Sequence, residues 1–468
     1  MPVLLVNKFL PLAKPAQAAA RRRGKDALMP YLFNLVYLLL IVGCAPWLLW
    51  AAMRKGKYRA GWAAKFLGRV PRRDGSKPRV WFHAVSVGEV NLVQPLLVAL
   101  KQAEPDCDFV VSTTTRTGYA LAQKRYGADH VFYCPLDFSW AVRAAMRRVR
   151  PDLLVLVELE LWPNLIRAAR DKGVRVAVVN GRLSARSYRG YRRIRPIVRR
   201  LLHSLDLLAV QNRQYASRFR ALGAPRDRIR VTGSVKFDGA LSNRDNPATR
   251  HLRELWKLTP GERVFLAGST QAPEEQLAVD AYRNVLMHES PAWRLIIVPR
   301  HPERFEEVAT LLDGSGLAWQ RRSKLDPARC APDARVLLVD VIGELGAWWG
   351  TASAGFVGGS LGRRGGQNMI EPAAYGVATC FGPHTENFRD VVAELLKRDA
   401  AVVVRRGAEI EQFLLRCAQT PDYAQQLGQR ARQMVLDQQG AADRTVQGLL
   451  PLIRQRPARP RESSRHVA

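Results

Sequence analysis

The chain has 468 residues, 47% hydrophobic and 8% aromatic, with a formal net charge of +32. Such length and apolar content exclude a disordered chain and fit two domains of ordinary size. Six dispersed cysteines (Cys44, Cys107, Cys134, Cys330, Cys380, Cys417) without a C-x-x-C pair exclude a zinc module and a disulfide framework, and fit a reducing compartment.

The charge calls for an acidic partner: nucleic acid, an anionic membrane surface or a phosphorylated substrate. A plain arginine bias of composition is the bland alternative. The first element narrows the choice. Tyr31 to Met53 is an uncharged run of 23 residues. At about 1.5 Å per helical residue it spans a bilayer core of roughly 30 Å. Asn34, Gly43 and Pro46 interrupt it, whereas Tyr31, Tyr37, Trp47 and Trp50 suit the interfaces. Arg54-Lys55 follows in place of a cleavage site, which argues against a signal peptide. An amphipathic helix lying on the membrane is the other reading. Basic residues flank the run on both sides. If translation starts at Met29, only the C-terminal flank is basic, and the body is cytoplasmic. Residues 1–57 are therefore expected to be an extension plus a single membrane-anchor helix.

The next stretch, HAVSVGEV at 83–90, follows a short apolar run and leads into a helical rhythm. Its one carboxylate, Glu89, sits at the expected start of that helix. The helix dipole alone favours an acid there. A glycine before it also permits a tight strand-to-helix turn that projects Glu89 toward a ligand.

Beyond it, short apolar runs recur at 80–82, 109–112, 131–133, 153–157, 174–179 and 207–210. Helical stretches lie between them, such as 92–102, 141–150 and 187–203. This alternation predicts βαβ units and a parallel sheet. DGALSNRDNPAT, 238–249, reads as a linker. A second alternation follows at 264–267, 295–298, 336–339, 355–357, 378–381 and 401–404. The expected fold is α/β: two Rossmann-like domains, 58–240 and 250–440, facing a central cleft, with a basic tail over 441–468. Ligands in such sheets bind at the carboxyl ends of the strands.

In the second half, Leu295-Ile-Ile-Val-Pro-Arg-His-Pro-Glu-Arg is a buried strand ending in basic residues. Arg300 stands where a strand-end ligand would sit, and arginine forks suit phosphate. Gly355 to Pro372 runs from a strand through a glycine-rich loop into a helix. Its backbone N–H groups are candidates for a phosphate cradle. Asn368 and Glu371 have capping-box spacing, and Glu371 is also placed to accept a ribose hydroxyl. The loop is neither a P-loop nor a G-x-G-x-x-G turn. The eight histidines are scattered, so no metal is implied.

Residues 31–439 resemble the Kdo transferases, bacterial glycosyltransferases that move 3-deoxy-D-manno-octulosonic acid (Kdo) from CMP-Kdo onto a lipid A precursor. The resemblance rests on ordered segments: HAVSVGEV, STTTRTGYA, VELELWPN, NGRLSARSYRGY, AVQN, VTGSVKFD, VPRHPERF, GEL, FVGGSLGRRGGQNMIEPAAYG and GPHTENFRD. It implies the two-Rossmann glycosyltransferase fold of GT-B type, a membrane anchor and a cytoplasmic catalytic body at the bacterial inner membrane. It also implies Glu89 as the catalytic base, with Glu158 and Lys236 assisting the transition state. Pro299, Arg300, Ile342, Gly343, Glu344, Asn368, Met369, Ile370 and Glu371 match the CMP-contacting positions. The expected partners are the CMP-Kdo donor, the lipid IVA acceptor and the anionic membrane surface, with no cofactor. One departure stands out. Where the family commonly has a Gly-Glu-Glu turn, this chain reads Gln271-Ala-Pro-Glu-Glu.

Two rivals remain. A related membrane glycosyltransferase with a UDP or ADP sugar would share this architecture. An RNA-binding protein would need stacking aromatics among its basic residues. Between Arg182 and Lys236 there are fifteen Lys/Arg against two Asp/Glu, but only Tyr188, Tyr191, Tyr215 and Phe219 as aromatics. Nucleic acid is therefore not expected as a partner.

Overall fold

The structure, a computed structural model, describes residues 30–31, 33–47, 50, 54, 60–286, 293–326, 331 and 333–455. Branched apolar runs form parallel strands covered on both faces. The first sheet holds β1 (Arg79–His83), β2 (Asp108–Thr113), β3 (Val131–Tyr133), β4 (Leu153–Val157), β5 (Arg175–Gly181), β6 (Leu207–Val210) and β7 (Ile229–Val231). Its order is β3-β2-β1-β4-β5-β6-β7, and all pairs are parallel. The second holds β8 (Arg263–Thr270), β9 (Trp293–Pro299), β10 (Trp319–Arg321), β11 (Val336–Leu338), β12 (Ala354–Val357), β13 (Ala378–Phe381) and β14 (Val402–Val403). Its order is β10-β11-β9-β8-β12-β13-β14, again all parallel. Each sheet carries an apolar core on both faces. The chain thus forms two compact α/β units, Met1–Val235 with Gly440–Ala468, and Lys236–Gln439.

Two strands escaped the sequence pattern, β7 and β10. Both lie at sheet edges and are only partly buried, so neither is an apolar run. The long arginine-rich helix expected over 187–203 is two helices, Ala185–Arg193 and Arg195–His203. Pro196 sits at the start of the second, where its missing N–H costs nothing. The stretch expected as a linker is structured. Asn246 caps the helix Pro247–Leu255, accepting from the Thr249 N–H at 2.9 Å. Arg244 donates to the carbonyls of Tyr375 and Ala352 at 2.9 and 2.8 Å.

Residues 441–468, expected as a basic tail, begin as the helix Ala441–Arg454. It buries Val446, Leu449, Leu450 and Ile453 in the same core as the helix Val87–Ala103. This helix therefore belongs to the first unit.

The N-terminal run is a helix through residues 33–47. Among the described residues no helix is long and apolar enough to cross a membrane. Part of the expected span (32, 48–49, 51–53), the alternative start and the basic end of the tail lie outside the described residues. The polar interruption has a purpose. Asn34 is buried, donates to Ser139 Oγ at 2.8 Å and accepts from the Ser139 N–H at 2.9 Å. Tyr37 donates to Asp137 Oδ2 at 3.0 Å. One side of the helix is thereby bonded to the first unit, while Leu35, Leu38, Leu39, Leu40, Val42 and Trp47 stay exposed.

Candidate active site

In the first sheet the strand order reverses between β1 and β4, and ligands of such sheets bind where these carboxyl ends part. β1 ends at His83 and the chain turns into the helix Val87–Ala103, capped by Ser86. Hydroxyls of Thr113, Thr114 and Thr115 lie 3.0, 3.3 and 3.3 Å from the Val85 carbonyl, so STTTRTGYA braces this turn. Gly118 is required there. A Cβ on it would lie 2.7 Å from the hydroxyls of both Thr113 and Thr115.

Glu89 occupies the first turn. Its Oε2 accepts from the Val85 N–H at 2.8 Å and its Oε1 from the Ser86 hydroxyl at 2.8 Å. The carboxylate is thus a local cap and, at 9% exposure, nearly buried. Burial pushes it up to about 7, and the charges of Glu160 and Glu158 push the same way, against the Val85 and Ser86 bonds. A carboxylate poised there can accept a proton near neutrality. His83, from the same motif, is fully buried and pushed down to about 4, so it is a neutral prop held at 2.9 Å from Ser112 Oγ.

Glu158 follows β4 with φ +60, a left-handed conformation that costs a non-glycine residue about 1–2 kcal/mol. Its N–H is tied to the Val179 carbonyl at 2.9 Å. Strain of this kind is kept where the surroundings over-determine it, often at functional sites. Because any Cβ is strained here, Glu158→Gly should be more stable than Glu158→Ala by about 1 kcal/mol. Both should lose turnover, and denaturant unfolding beside activity checks this. Glu160 completes the cluster. Burial raises its carboxyl and Trp162 Nε1 donates to it at 2.8 Å; Tyr191 of the arginine-rich helix is raised by burial and, second, by the charge of Glu160.

Sequence reasoning did not single out Asn180. It has φ +53 at a slip in the β5–β6 ladder, and its Oδ1 accepts from the Val235 N–H at 3.1 Å. That bond starts the short helix Val235–Phe237, which carries Lys236. A side chain re-aimed by an irregular strand end leaves no mark in hydropathy.

In the second unit the nominated donor positions all fall on the carboxyl edge of the sheet. Pro299 ends β9, and Arg300, with an exposed side chain, donates its N–H to the Thr270 carbonyl at 3.0 Å. Ile342, Gly343 and Glu344 follow β11. Ile342 is 76% exposed. The Glu344 carboxylate is already clasped by Arg322, at 2.8 and 2.7 Å, so it shapes the loop from within. Asn368 and Glu371 do bond, Asn368 Nδ2 donating to Glu371 Oε1 at 2.9 Å. Yet the helix Ile370–Ala374 is capped at Met369, and Asn368 Oδ1 instead accepts from the Ile370 N–H at 3.1 Å. Burial raises the Glu371 carboxyl. The Met369 and Ile370 side chains belong to the core.

The expected phosphate cradle needs correction. The N–H groups of Gly359, Ser360 and Leu361 are taken by the buried Glu274 carboxylate, at 2.7, 3.0 and 3.1 Å. Among the described residues no group of three or more His, Cys, Asp or Glu could hold a metal ion.

Two parallel α/β units, one with a carboxylate cluster at its switch point, have a GT-B-like build. A UDP-GlcNAc 2-epimerase from Neisseria meningitidis, 12% identical with a TM-score of 0.55 over 80% of this chain and all of its own (100%), shares that fold. The family model described as 3-Deoxy-D-manno-octulosonic-acid transferase (kdotransferase) matches residues 58–239. The 3-deoxy-D-manno-octulosonic acid transferase of Bordetella pertussis is 34% identical over 429 residues, 88% of this chain and 98% of that protein. A C-terminal CMP-Kdo binding domain from Acinetobacter baumannii is 32% identical over 40% of this chain and 95% of its own, with a TM-score of 0.37. The chain belongs to the Kdo transferase family and is a glycosyltransferase.

Proposed function

We propose that this enzyme transfers Kdo from CMP-Kdo to a hydroxyl of lipid IVA with inversion, and that Glu89 is the general base. The observation that carries the reading is the Glu89 carboxylate itself, buried at the strand switch point beside two other carboxylates and pushed up to about 7. The acceptor hydroxyl gives its proton to Glu89. Its oxygen bonds to the anomeric carbon, and the bond from that carbon to the phosphate oxygen breaks, CMP leaving with the electron pair. Glu158 offsets the positive charge of an oxocarbenium-like ring, and Lys236 offsets the negative charge of donor and leaving group. The carboxyl edge of the second unit, from Pro299 to Glu371, receives the CMP part.

The proposal extends to location, the cytoplasmic face of the bacterial inner membrane with the N-terminal helix as anchor. Its support is the exposed apolar side of residues 33–47 and the exposed arginines 186, 189, 192, 193, 195, 199 and 200. Such a surface attracts anionic lipid at about 1 kcal/mol per basic residue.

Mass spectrometry of lipid IVA incubated with the purified protein and CMP-Kdo tests the reading. The expected result is a mass gain of one or more Kdo units, which also counts the transfers. Wild-type protein that binds CMP yet adds no Kdo would make the acceptor wrong. Binding of UDP or ADP sugar in place of CMP would favour the rival donor.

A further inference from the structure

The turn in which this chain departs from its family, Gln271 to Glu275, holds a group with no assigned role. The second sheet reverses its order between β8 and β12, so the turn after β8 and the glycine-rich loop after β12 meet at its switch point. Glu274 is the first residue of the helix that follows β8. It is 2% exposed, and its two oxygens accept four backbone N–H groups. Oε2 takes Gln271 and Gly359 at 2.9 and 2.7 Å, and Oε1 takes Ser360 and Leu361 at 3.0 and 3.1 Å. The loop is seated so closely that a Cβ on Gly358 would fall 2.6 Å from the Ser269 carbonyl oxygen and 2.8 Å from Glu274 Oε2. Beside it, Glu275 is bonded to Arg304 of VPRHPERF at 2.5 Å, which ties the same turn to the segment after β9. Gln271 is buried, and its Oε1 has no hydrogen-bond partner among the described residues.

Glu89 and Glu274 occupy equivalent places, each in the first turn of the helix after its unit's first strand. Their bonding differs. Among the described residues Glu89 bonds within its own turn, to Val85 and Ser86. Glu274 reaches across the switch point and fills the concave array of N–H groups that glycine-rich loops elsewhere offer to phosphate.

We propose that Glu274 is a positioning residue for the donor: its carboxylate stands in for an anion inside the glycine-rich loop and sets the shape in which residues 358–369 meet the nucleotide. The proposal rests on the donor reading of the second unit. It also assigns the donor's phosphate to other groups on that edge, because these N–H groups are occupied.

All four bonds run from N–H to oxygen, so Glu274→Gln turns one oxygen into an NH₂ that faces two N–H groups. Its volume is unchanged. The experiment uses the full-length protein, with hydrogen–deuterium exchange over residues 358–369, CMP titration by calorimetry, and separate KM values for donor and acceptor. The variant should lose amide protection in the loop, bind CMP about 10- to 100-fold more weakly and raise the donor KM alone, as two lost charge-assisted bonds imply. Glu274→Asp, which keeps the charge but is one methylene shorter, should fall between. A Gln variant with a loosened loop and wild-type CMP affinity would overturn the proposal. So would unfolding of both variants, or an equal rise in both KM values, since each marks a purely architectural role. A wild type that binds no CMP overturns the donor reading and this proposal with it; loop protection lost only in the Gln variant would then still show the clasp itself.

Discussion

Glu89→Gln should lower turnover by about 10²- to 10⁴-fold, the usual contribution of a general base, while leaving the melting midpoint close to that of wild type below pH 4.5. The choice of glutamine matters because Glu89 has two jobs. Its oxygens accept from the Val85 N–H and the Ser86 hydroxyl. A glutamine can take the first bond with its oxygen and donate its NH₂ to the second partner, whose hydroxyl rotates to accept; capping boxes use either residue. Alanine would remove base and cap together, so lost activity would have two causes. The pH dependence follows with a definite sign. The base works deprotonated, so kcat/KM of the wild type should rise with pH, reach half its plateau near 7 and lose this limb in the variant. Stability moves the other way. A carboxyl raised from 4.5 to about 7 by folding contributes fully below 4.5, and that contribution is lost as pH rises through 7. The variant should therefore gain on wild type between pH 4.5 and 8. Near-normal turnover in a folded glutamine variant would remove Glu89 from the chemistry.

Asp137→Ala should destabilise the first unit by about 3–5 kcal/mol. The helix Pro163–Asp171 begins at Trp162, which supplies no side-chain cap. Asp137, from a distant loop and 2% exposed, supplies it by accepting from the Asn164 and Leu165 N–H groups at 3.0 and 2.8 Å. It also accepts from Tyr37, and its own carbonyl accepts from Asn164 Nδ2 at 2.6 Å. Alanine leaves two buried N–H groups and a hydroxyl without that acceptor, each costing about 1–3 kcal/mol less whatever the rest of the site recovers. For a unit of this size the midpoint should fall by about 10 °C in a thermal melt. Amide exchange in residues 33–47 should accelerate, because Tyr37 loses its partner. An unchanged midpoint would mean that the helix end finds other acceptors, and the cap argument would fail. Asp137→Asn, which keeps one acceptor oxygen, should cost less.

These cases mark what could be read along the chain. The runs at 131–133, 153–157, 207–210 and 378–381 are strands β3, β4, β6 and β13 with those bounds. Strands buried on both faces are mostly apolar, so they print as short apolar runs, and a buried polar residue such as Thr379 in β13 is kept by a bond to the Val377 carbonyl. β7 and β10 are partly exposed edge strands and print as nothing. The candidate site was legible as a set of positions, because parallel strands deliver their carboxyl ends to one edge and the motifs follow those ends. The jobs at that edge were less legible. Glu344 and Glu274 read as ligand groups or loose charge, yet both are spent holding loops, by contact with Arg322 and with backbone N–H groups.

The sequence alone determined two parallel α/β halves, most of their strands, the family, and the strand-end segments that hold the candidate site. All of these rest on short-range pattern: period, caps, glycines and contiguous motifs. Tertiary structure alone decided that Glu89 is raised to about 7, that the glycine loop's N–H groups belong to Glu274, and that Asn34 bonds an apolar helix to the first unit. Each of these depends on desolvation or on partners far away in the chain, 85 residues apart for Glu274 and Gly359 and 105 for Asn34 and Ser139. Charge state and hydrogen-bond ownership are properties of the surroundings, and only folding brings those surroundings together.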